Sequence, residues 1–164
     1  MQKVVILNTR EIKRLRQKFV EEYGTFIKGE YAFLKNEKDR IFLVNKDIAK
    51  VELKNLRLDK MGLYFCESKK GIIRLSLQGA AFFVQNKENE VKNKLELSKD
   101  EIVEYFKGVD LNKDLGDESK FVILMYEGNV VGCSKYKDGV ILNYLPKTNR
   151  GTVIVWFFLV FTPK

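Results

Sequence analysis

Residues 128–147 read Gly128-Asn129-Val130-Val131-Gly132-Cys133-Ser134-Lys135-Tyr136-Lys137-Asp138-Gly139-Val140-Ile141-Leu142-Asn143-Tyr144-Leu145-Pro146-Lys147. Two short alternating runs, Val130–Tyr136 and Val140–Tyr144, flank a Lys-Asp-Gly corner. A tight primed turn needs positive φ, which Asp-Gly adopts at little cost, so the stretch predicts a β-hairpin. The hairpin carries Lys135, Lys137 and Lys147 with Tyr136 and Tyr144 between them. Interleaved cations and aromatics suit a phosphate backbone with bases stacked beside it. Successive strand residues point to opposite faces, so Lys135 and Lys137 share one face and Tyr136 takes the other. The lysines are expected to meet nucleic acid and Tyr136 to enter the core. Tyr144 fits a core or a stacking role equally well.

The charge distribution supports an anionic partner. The chain has 30 Lys and Arg against 22 Asp and Glu, a net charge of +8 and a pI near 9.4. Residues 1–92 carry a net +8, residues 93–127 a net −4 and residues 128–164 a net +4. Two basic ends flanking an acidic middle favour RNA or DNA ahead of a membrane surface. A length of 164 residues allows one compact domain or two small ones, and an apolar content of 45% is enough for a core.

Upstream, Asn8-Thr9-Arg10-Glu11 has the pattern of a capping box, with Asn8 as N-cap and Glu11 three residues on. Ile12, Leu15, Phe19 and Tyr23 then form one helical stripe, and Gly24 supplies the stop. Arg10, Lys13, Arg14 and Lys18 fall on the opposite face, which is either solvated or phosphate-contacting. Strands are expected at Tyr31–Lys35 and Arg40–Val44, with a short helix over Lys46–Leu53 capped by Asn45. Met61–Glu67 and Ile72–Leu77 around Lys69-Lys70-Gly71 predict a second hairpin. Ser76–Val84 is a further helix candidate. The polar segment 85–93 is the best linker, which places a domain boundary there.

Beyond it, Ser98-Lys99-Asp100-Glu101 is another capping box. It opens a helix with Ile102, Val103 and Phe106 inward that closes at Gly108. Residues 109–120 read as a polar, acidic loop, and Phe121–Tyr126 as a central strand. The apolar run Val153–Phe161 is too short to span a membrane and reads as a final buried strand, with an exposed interaction segment as the alternative. The fold class expected is α+β, with an N-terminal domain over residues 1–88 and a mixed β-barrel with one flanking helix over 94–164.

Several chemistries are excluded. The chain has no His, which removes imidazole-based catalysis and leaves no set of zinc ligands. No GxGxxG follows a strand and no GxxxxGK[ST] occurs. Asp114, Asp117 and Glu118 read as an acidic loop tip. No metal site, cofactor or catalytic residue is assigned. Cys66 and Cys133 lie alone in apolar strand candidates, as thiols buried in a reducing cytoplasm do, and the N-terminus has too short an apolar run for a signal peptide.

Residues 94–150 resemble the PUA-type RNA-binding domain at the C-terminal end of the Nol/Nop/Fmu (Sun) family of RNA cytosine-C5 methyltransferases. Leu97-Ser98, Phe106-Lys107-Gly108, Val130-Val131-Gly132-Cys133-Ser134-Lys135 and Leu142-Asn143-Tyr144-Leu145-Pro146-Lys147 carry the resemblance. Residues 1–84 resemble the pre-PUA domain of small ribosome-biogenesis factors of the Nip-seven type. There the carriers are Arg40-Ile41-Phe42-Leu43-Val44, Gly62-Leu63-Tyr64 and Arg74-Leu75-Ser76-Leu77-Gln78-Gly79-Ala80-Ala81. The chain looks most like the stand-alone archaeal proteins that pair these two pieces.

The resemblance implies RNA binding, with ribosomal RNA first and tRNA second, in ribosome biogenesis or RNA modification. It does not imply methyl transfer. The methyltransferases need a cofactor-binding domain and a nucleophilic Cys directly after Pro, whereas here Cys66 follows Phe65 and Cys133 follows Gly132. RNA would lie in a groove beside the helix Ser98–Lys107 and the hairpin. Lys135, Lys137, Lys147 and Arg150 would contact phosphates, Tyr144 would stack and Asn143 would read a base edge. Arg10, Lys13, Arg14 and Arg74 complete the candidate set in the first domain. The rival reading is a protein-interaction module that docks on an RNA methyltransferase or an assembly factor through the first domain, with the apolar tail or the acidic loop as contact surface.

Overall fold

Three two-residue turns join neighbouring antiparallel strands. In the computed structural model, which describes residues 4–50, 62–87 and 91–151, both central residues of each turn have positive φ. They are Lys70 and Gly71 at 49° and 84°, Glu127 and Gly128 at 47° and 75°, and Asp138 and Gly139 at 50° and 80°. This is the primed geometry whose twist matches that of the strands it joins. The Asp-Gly and Lys-Gly corners form the hairpins the sequence predicts, and Glu127-Gly128 adds a third of the same kind. The chain divides into two compact units, Met1–Lys92 and Asn93–Lys164.

The first unit holds β1 (Val4–Ile6), α1 (Thr9–Tyr23), β2 (Tyr31–Asn36), β3 (Arg40–Asn45), β4 (Leu63–Lys69), β5 (Ile72–Leu75) and α2 (Leu77–Lys87). Its sheet is antiparallel, in the order β1-β2-β3-β4-β5. The capping box of α1 forms as expected. Asn8 Oδ1 accepts from the Arg10 and Glu11 amides, the Glu11 carboxylate accepts from the Asn8 amide, and Gly24 ends the helix at φ 83°.

The predicted stripe of α1 is the buried one, and Phe19 is its centre. Its ring stacks on Phe65 of β4 at 5.1 Å and meets Tyr23, Phe26 and Phe83 between 5.4 and 5.6 Å. Such pairs contribute about 1 kcal/mol each beyond the area they bury. The helix candidate after Leu75 is α2, docked so closely that a Cβ at Gly79 would lie 1.8 Å from the Phe65 carbonyl oxygen. Only Gly fits there. Ser76 Oγ caps α2 by accepting from the Gly79 amide and bonds the Tyr64 carbonyl.

The expected helix Lys46–Leu53 is a 3-10 turn over Lys46–Lys50, with Asn45 Oδ1 accepting from the Asp47 amide, and its remainder lies outside the described residues. α2 runs through Lys87, so the expected linker begins inside a helix.

The second unit holds β6 (Lys94–Glu96), α3 (Lys99–Lys107), β7 (Leu111–Asn112), β8 (Lys120–Tyr126), β9 (Asn129–Lys137) and β10 (Val140–Ile141). Its mixed sheet has the order β6-β8-β9-β10-β7, with β6 and β8 parallel. Ser98 and Glu101 form the second capping box, and Gly108 closes α3 at φ 92°. α3 packs its apolar face into a core with Leu97, Val122, Leu124, Tyr136, Ile141 and Leu145.

Three expectations are corrected here. Tyr105 is buried where Val103 was expected, because its hydroxyl reaches Ser134 Oγ at 3.3 Å and lies over Gly132, leaving Val103 only partly covered. The expected loop 109–120 contains β7, which pairs with β10 through Leu111↔Ile141 and Asn112↔Val140. The expected strand Val140–Tyr144 is correspondingly short, since the chain leaves the sheet at Leu142. The apolar run Val153–Phe161 lies outside the described residues. Among the described residues no helix is long and apolar enough to cross a membrane.

Candidate nucleic-acid interface

The second unit gathers four of the candidate residues on one segment, fastened to the C-terminal end of α3. A helix end leaves carbonyls without intrahelical donors, and here Asn143 supplies them. Its Nδ2 donates to the Tyr105 carbonyl at 2.6 Å and to the Val109 carbonyl at 3.0 Å. Its Oδ1 accepts from the Leu145 amide at 3.0 Å, and its own amide donates to Asp110 Oδ1 at 2.6 Å. Further along, the Gly151 amide donates to the Phe106 carbonyl at 3.2 Å. Arg150 Nε donates to the Leu145 carbonyl at 3.2 Å. The Arg150 side chain crosses Gly108 so closely that a Cβ there would meet its Cδ and Nε at 2.7 Å. A cation at a helix C-terminus also sits favourably against the helix dipole.

These bonds correct the role of Asn143. Both of its amide protons and its carbonyl oxygen are committed within the protein, so it is a latch, and a base edge would have to break it. Arg150 is likewise engaged as an anchor at the helix end. Tyr144, about a third exposed, and Lys147, at the start of the 3-10 turn Lys147–Asn149, are the outward members of the segment.

Lys135 and Lys137 lie elsewhere. Tyr136 is 1% exposed and belongs to the core under α3. Its hydroxyl accepts from the Leu115 amide at 3.1 Å and donates to the Gly116 carbonyl at 2.8 Å, which ties down the acidic loop. Tyr136 is thus the core aromatic expected. By strand alternation Lys135 and Lys137 point to the face away from α3. A single groove beside α3 and the hairpin therefore does not contain them together with Tyr144 and Lys147. Lys137, at the open tip, is 3.6 Å from Asp138, an exposed pair of little energetic weight.

In the first unit Arg10 and Lys13 are exposed on α1, as expected. Arg74 on β5 is ion-paired with Glu67 at 2.8 Å, across the Glu67↔Arg74 register pair. A phosphate at Arg74 would have to compete with that carboxylate.

Arg14 is exposed on α1 as expected and Lys18 is half-buried, and both border a groove against the sheet. With Glu11 and Leu15 they form the wall of this groove of about 190 Å³, whose other side is Lys35 of β2, Ile41 of β3 and Ser68 of β4, with Leu7 between. Lys18 was read with Arg14 as part of a solvated or phosphate-contacting face, whereas Lys35 and Ser68 carried no such expectation. The signal was present at Lys35: its register partner Ile41 is 2% exposed, and its alternation partner Phe33 stacks with Phe26, so Lys35 shares the core-facing side of β2.

The titratable groups carry no catalytic signature. Burial pushes the Cys66 thiol well up, away from a reactive thiolate. Burial also raises the Tyr105 phenol, against the hydrogen bond from Ser134, and raises Tyr64 on β4. Desolvation works against ionisation of Glu101, but hydrogen bonds from Lys113 and from Ser98 hold its carboxyl below the usual range. The Lys113 ammonium lies 2.6 Å away. Among the described residues no cluster of three or more His, Cys, Asp or Glu side chains is placed to hold a metal ion.

Comparison with known proteins agrees with this fold. Residues 92–150 match the family model described as the methyltransferase RsmF PUA domain. That span takes in β6, α3, the hairpin and the latched segment. No curated protein matches the sequence. The fold is similar to the crystal structure of a PUA domain from Aeropyrum pernix K1 in complex with tartrate, with a TM-score of 0.53 and 12% identity. The similarity covers 86% of this chain and 74% of that one. At that identity the likeness is one of fold: the chain has the α+β architecture of a PUA-domain protein.

Proposed function

We propose that this protein is a non-catalytic RNA-binding factor that works in ribosome biogenesis or RNA modification in the cytoplasm. Its ligand is ribosomal RNA, with tRNA as the second choice. The match of residues 92–150 to a PUA domain associated with an RNA methyltransferase carries the reading, since PUA domains bind RNA. The net charge of +8 supports it. We assign the RNA-facing roles to Tyr144 and Lys147 on the latched segment and to Lys135 and Lys137 on the hairpin. Arg10 and Lys13 add cationic surface in the first unit, while Asn143 and Arg150 hold the segment in place. Residues 1–88 are read as a pre-PUA domain of the Nip-seven type and residues 94–164 as the PUA domain, in a protein of archaeal type.

The test is a fluorescence-anisotropy titration of the full chain with labelled ribosomal RNA fragments and with duplex DNA, repeated at several salt concentrations. Binding that prefers RNA and weakens linearly in log salt is expected. Lys137→Ala and Lys147→Ala should each reduce the magnitude of the salt slope by roughly 0.7 to 0.9. Binding that ignores salt, or none near physiological salt, overturns the proposal in favour of a protein partner such as an RNA methyltransferase or an assembly factor.

A further inference from the structure

We propose that the groove between α1 and the sheet of the first unit binds a phosphate group of RNA, as a contact separate from the second unit. The inference rests on the RNA-binding reading and assigns a ligand to a unit outside the family match, which begins at residue 92.

Cations reach the groove from two elements. Arg14 and Lys18 descend from α1, and Lys35 rises from β2. The Lys18 ammonium also lies against the Lys70-Gly71 turn, 3.1 Å from where a Cβ of Gly71 would stand. Two carboxylates lie nearby: Glu11 lines the groove and keeps its charge, and Asp39 engages Lys35, so Arg14 and Lys18 are the cations left for an anion. The Glu11 carboxylate accepts the Asn8 amide at 2.8 Å, and Asp39 is paired with Lys35 at 2.8 Å.

No carboxylate among the described residues pairs with Arg14 or Lys18. Like charges four apart on a helix repel by a few tenths of a kcal/mol, and an anion between them reverses the sign. The floor is apolar and closed: Leu7, Leu15 and Ile41 are 7%, 4% and 2% exposed. A phosphate there would be partly desolvated, which strengthens each charge-assisted bond. The Ser68 side chain offers a hydroxyl beside the cations. A volume of about 190 Å³ holds on the order of six waters, enough for a phosphate with part of its sugar. An apolar peptide would leave the cations uncompensated, and a metal ion would be repelled.

The test compares the full chain with the double variant R14Q/K18Q and, on the second unit, K137Q/K147Q. Each is checked for fold by circular dichroism, with R14Q alone as the substitute if the double variant is disturbed. Two titrations are run: single-stranded RNA by anisotropy over a range of salt, and inorganic phosphate by amide NMR shifts. The magnitude of the RNA salt slope should fall by about 0.7 in the groove variant, one phosphate contact on a single strand. Phosphate should shift amides of residues 14–18 and 68–71 in the wild type and not in the variant.

If the wild type binds RNA and the groove variant keeps the full slope, the groove proposal fails while the RNA-binding reading stands. A wild type that binds phosphate in the groove but no RNA overturns both, and leaves the groove as a site for free phosphate. Neither RNA binding nor phosphate shifts also overturns both.

Discussion

Replacing Asn143 by Ala separates a latch from a base reader. The substitution removes three hydrogen bonds, at 2.6, 3.0 and 3.0 Å, and leaves the Tyr105 and Val109 carbonyls and the Leu145 amide without this partner. A net contribution of about 0.5 to 1.5 kcal/mol per bond sets an upper limit of about 4.5 kcal/mol. Val109 is exposed and water will replace part of its loss. The Tyr105 carbonyl also keeps the Gly108 amide. The expected loss is therefore about 2 kcal/mol. For a unit of this size, with a urea m-value of about 1 kcal/mol/M, the unfolding midpoint of the second unit drops by about 2 M. Hydrogen exchange at Leu145 and Gly151 should accelerate with it. RNA affinity, measured at a temperature where the variant remains folded, falls only as far as the freed segment carries Tyr144 and Lys147 with it. An unchanged midpoint together with lost affinity or altered base preference would refute the latch and restore Asn143 as a reader.

Other substitutions probe the remaining supports. Gly132→Ala places a Cβ 2.5 Å from the Tyr105 hydroxyl, inside a core that also holds the bond to Ser134, so thermal denaturation should show a loss of about 1 to 3 kcal/mol. Tyr136→Phe keeps the buried ring but frees Leu115 and Gly116. A loss of about 1 to 2 kcal/mol is expected, with hydrogen exchange rising first in residues 113–119. Glu101 gives a pH signature. Its folded carboxyl titrates below the ordinary value of 4.5, so its contribution is complete above that pH and is lost as pH falls through the lower, folded value. The stability difference between wild type and Glu101→Gln should thus shrink on acidification below about pH 4.5, and a difference independent of pH would remove the Lys113 pair as its source.

Much of the fold was legible because its signals are local. Asn8 with Glu11 and Ser98 with Glu101 set two helix starts, Gly24 and Gly108 two helix ends, and Asp138-Gly139 a hairpin, all through interactions spanning a few residues. Strand alternation was enough to send Tyr136 inward and Lys137 outward. The short strands β1, β6 and β7 were not legible. Two or three residues carry no period, and each exists only because a distant strand offers it hydrogen bonds. Val103 and Tyr105 are both plausible inward residues on a helical pattern. Ser134, 29 positions away, decides between them.

By itself, then, the sequence determined the α+β class, the capped helices, the primed turns and a basic, imidazole-free surface, because propensity, capping and charge act within a turn or two of chain. Tertiary structure decided what the polar side chains do. A segment rich in Asn, Tyr, Lys and Arg reads alike whether it faces RNA or the protein. Only the approach of the α3 terminus turned Asn143 and Arg150 inward as fasteners. Likewise, only the packing of α1 on its sheet brought Arg14, Lys18 and Lys35 to one groove, from positions up to 21 residues apart. Which face a charge lies on follows from contacts distant in sequence, and no local pattern encodes those.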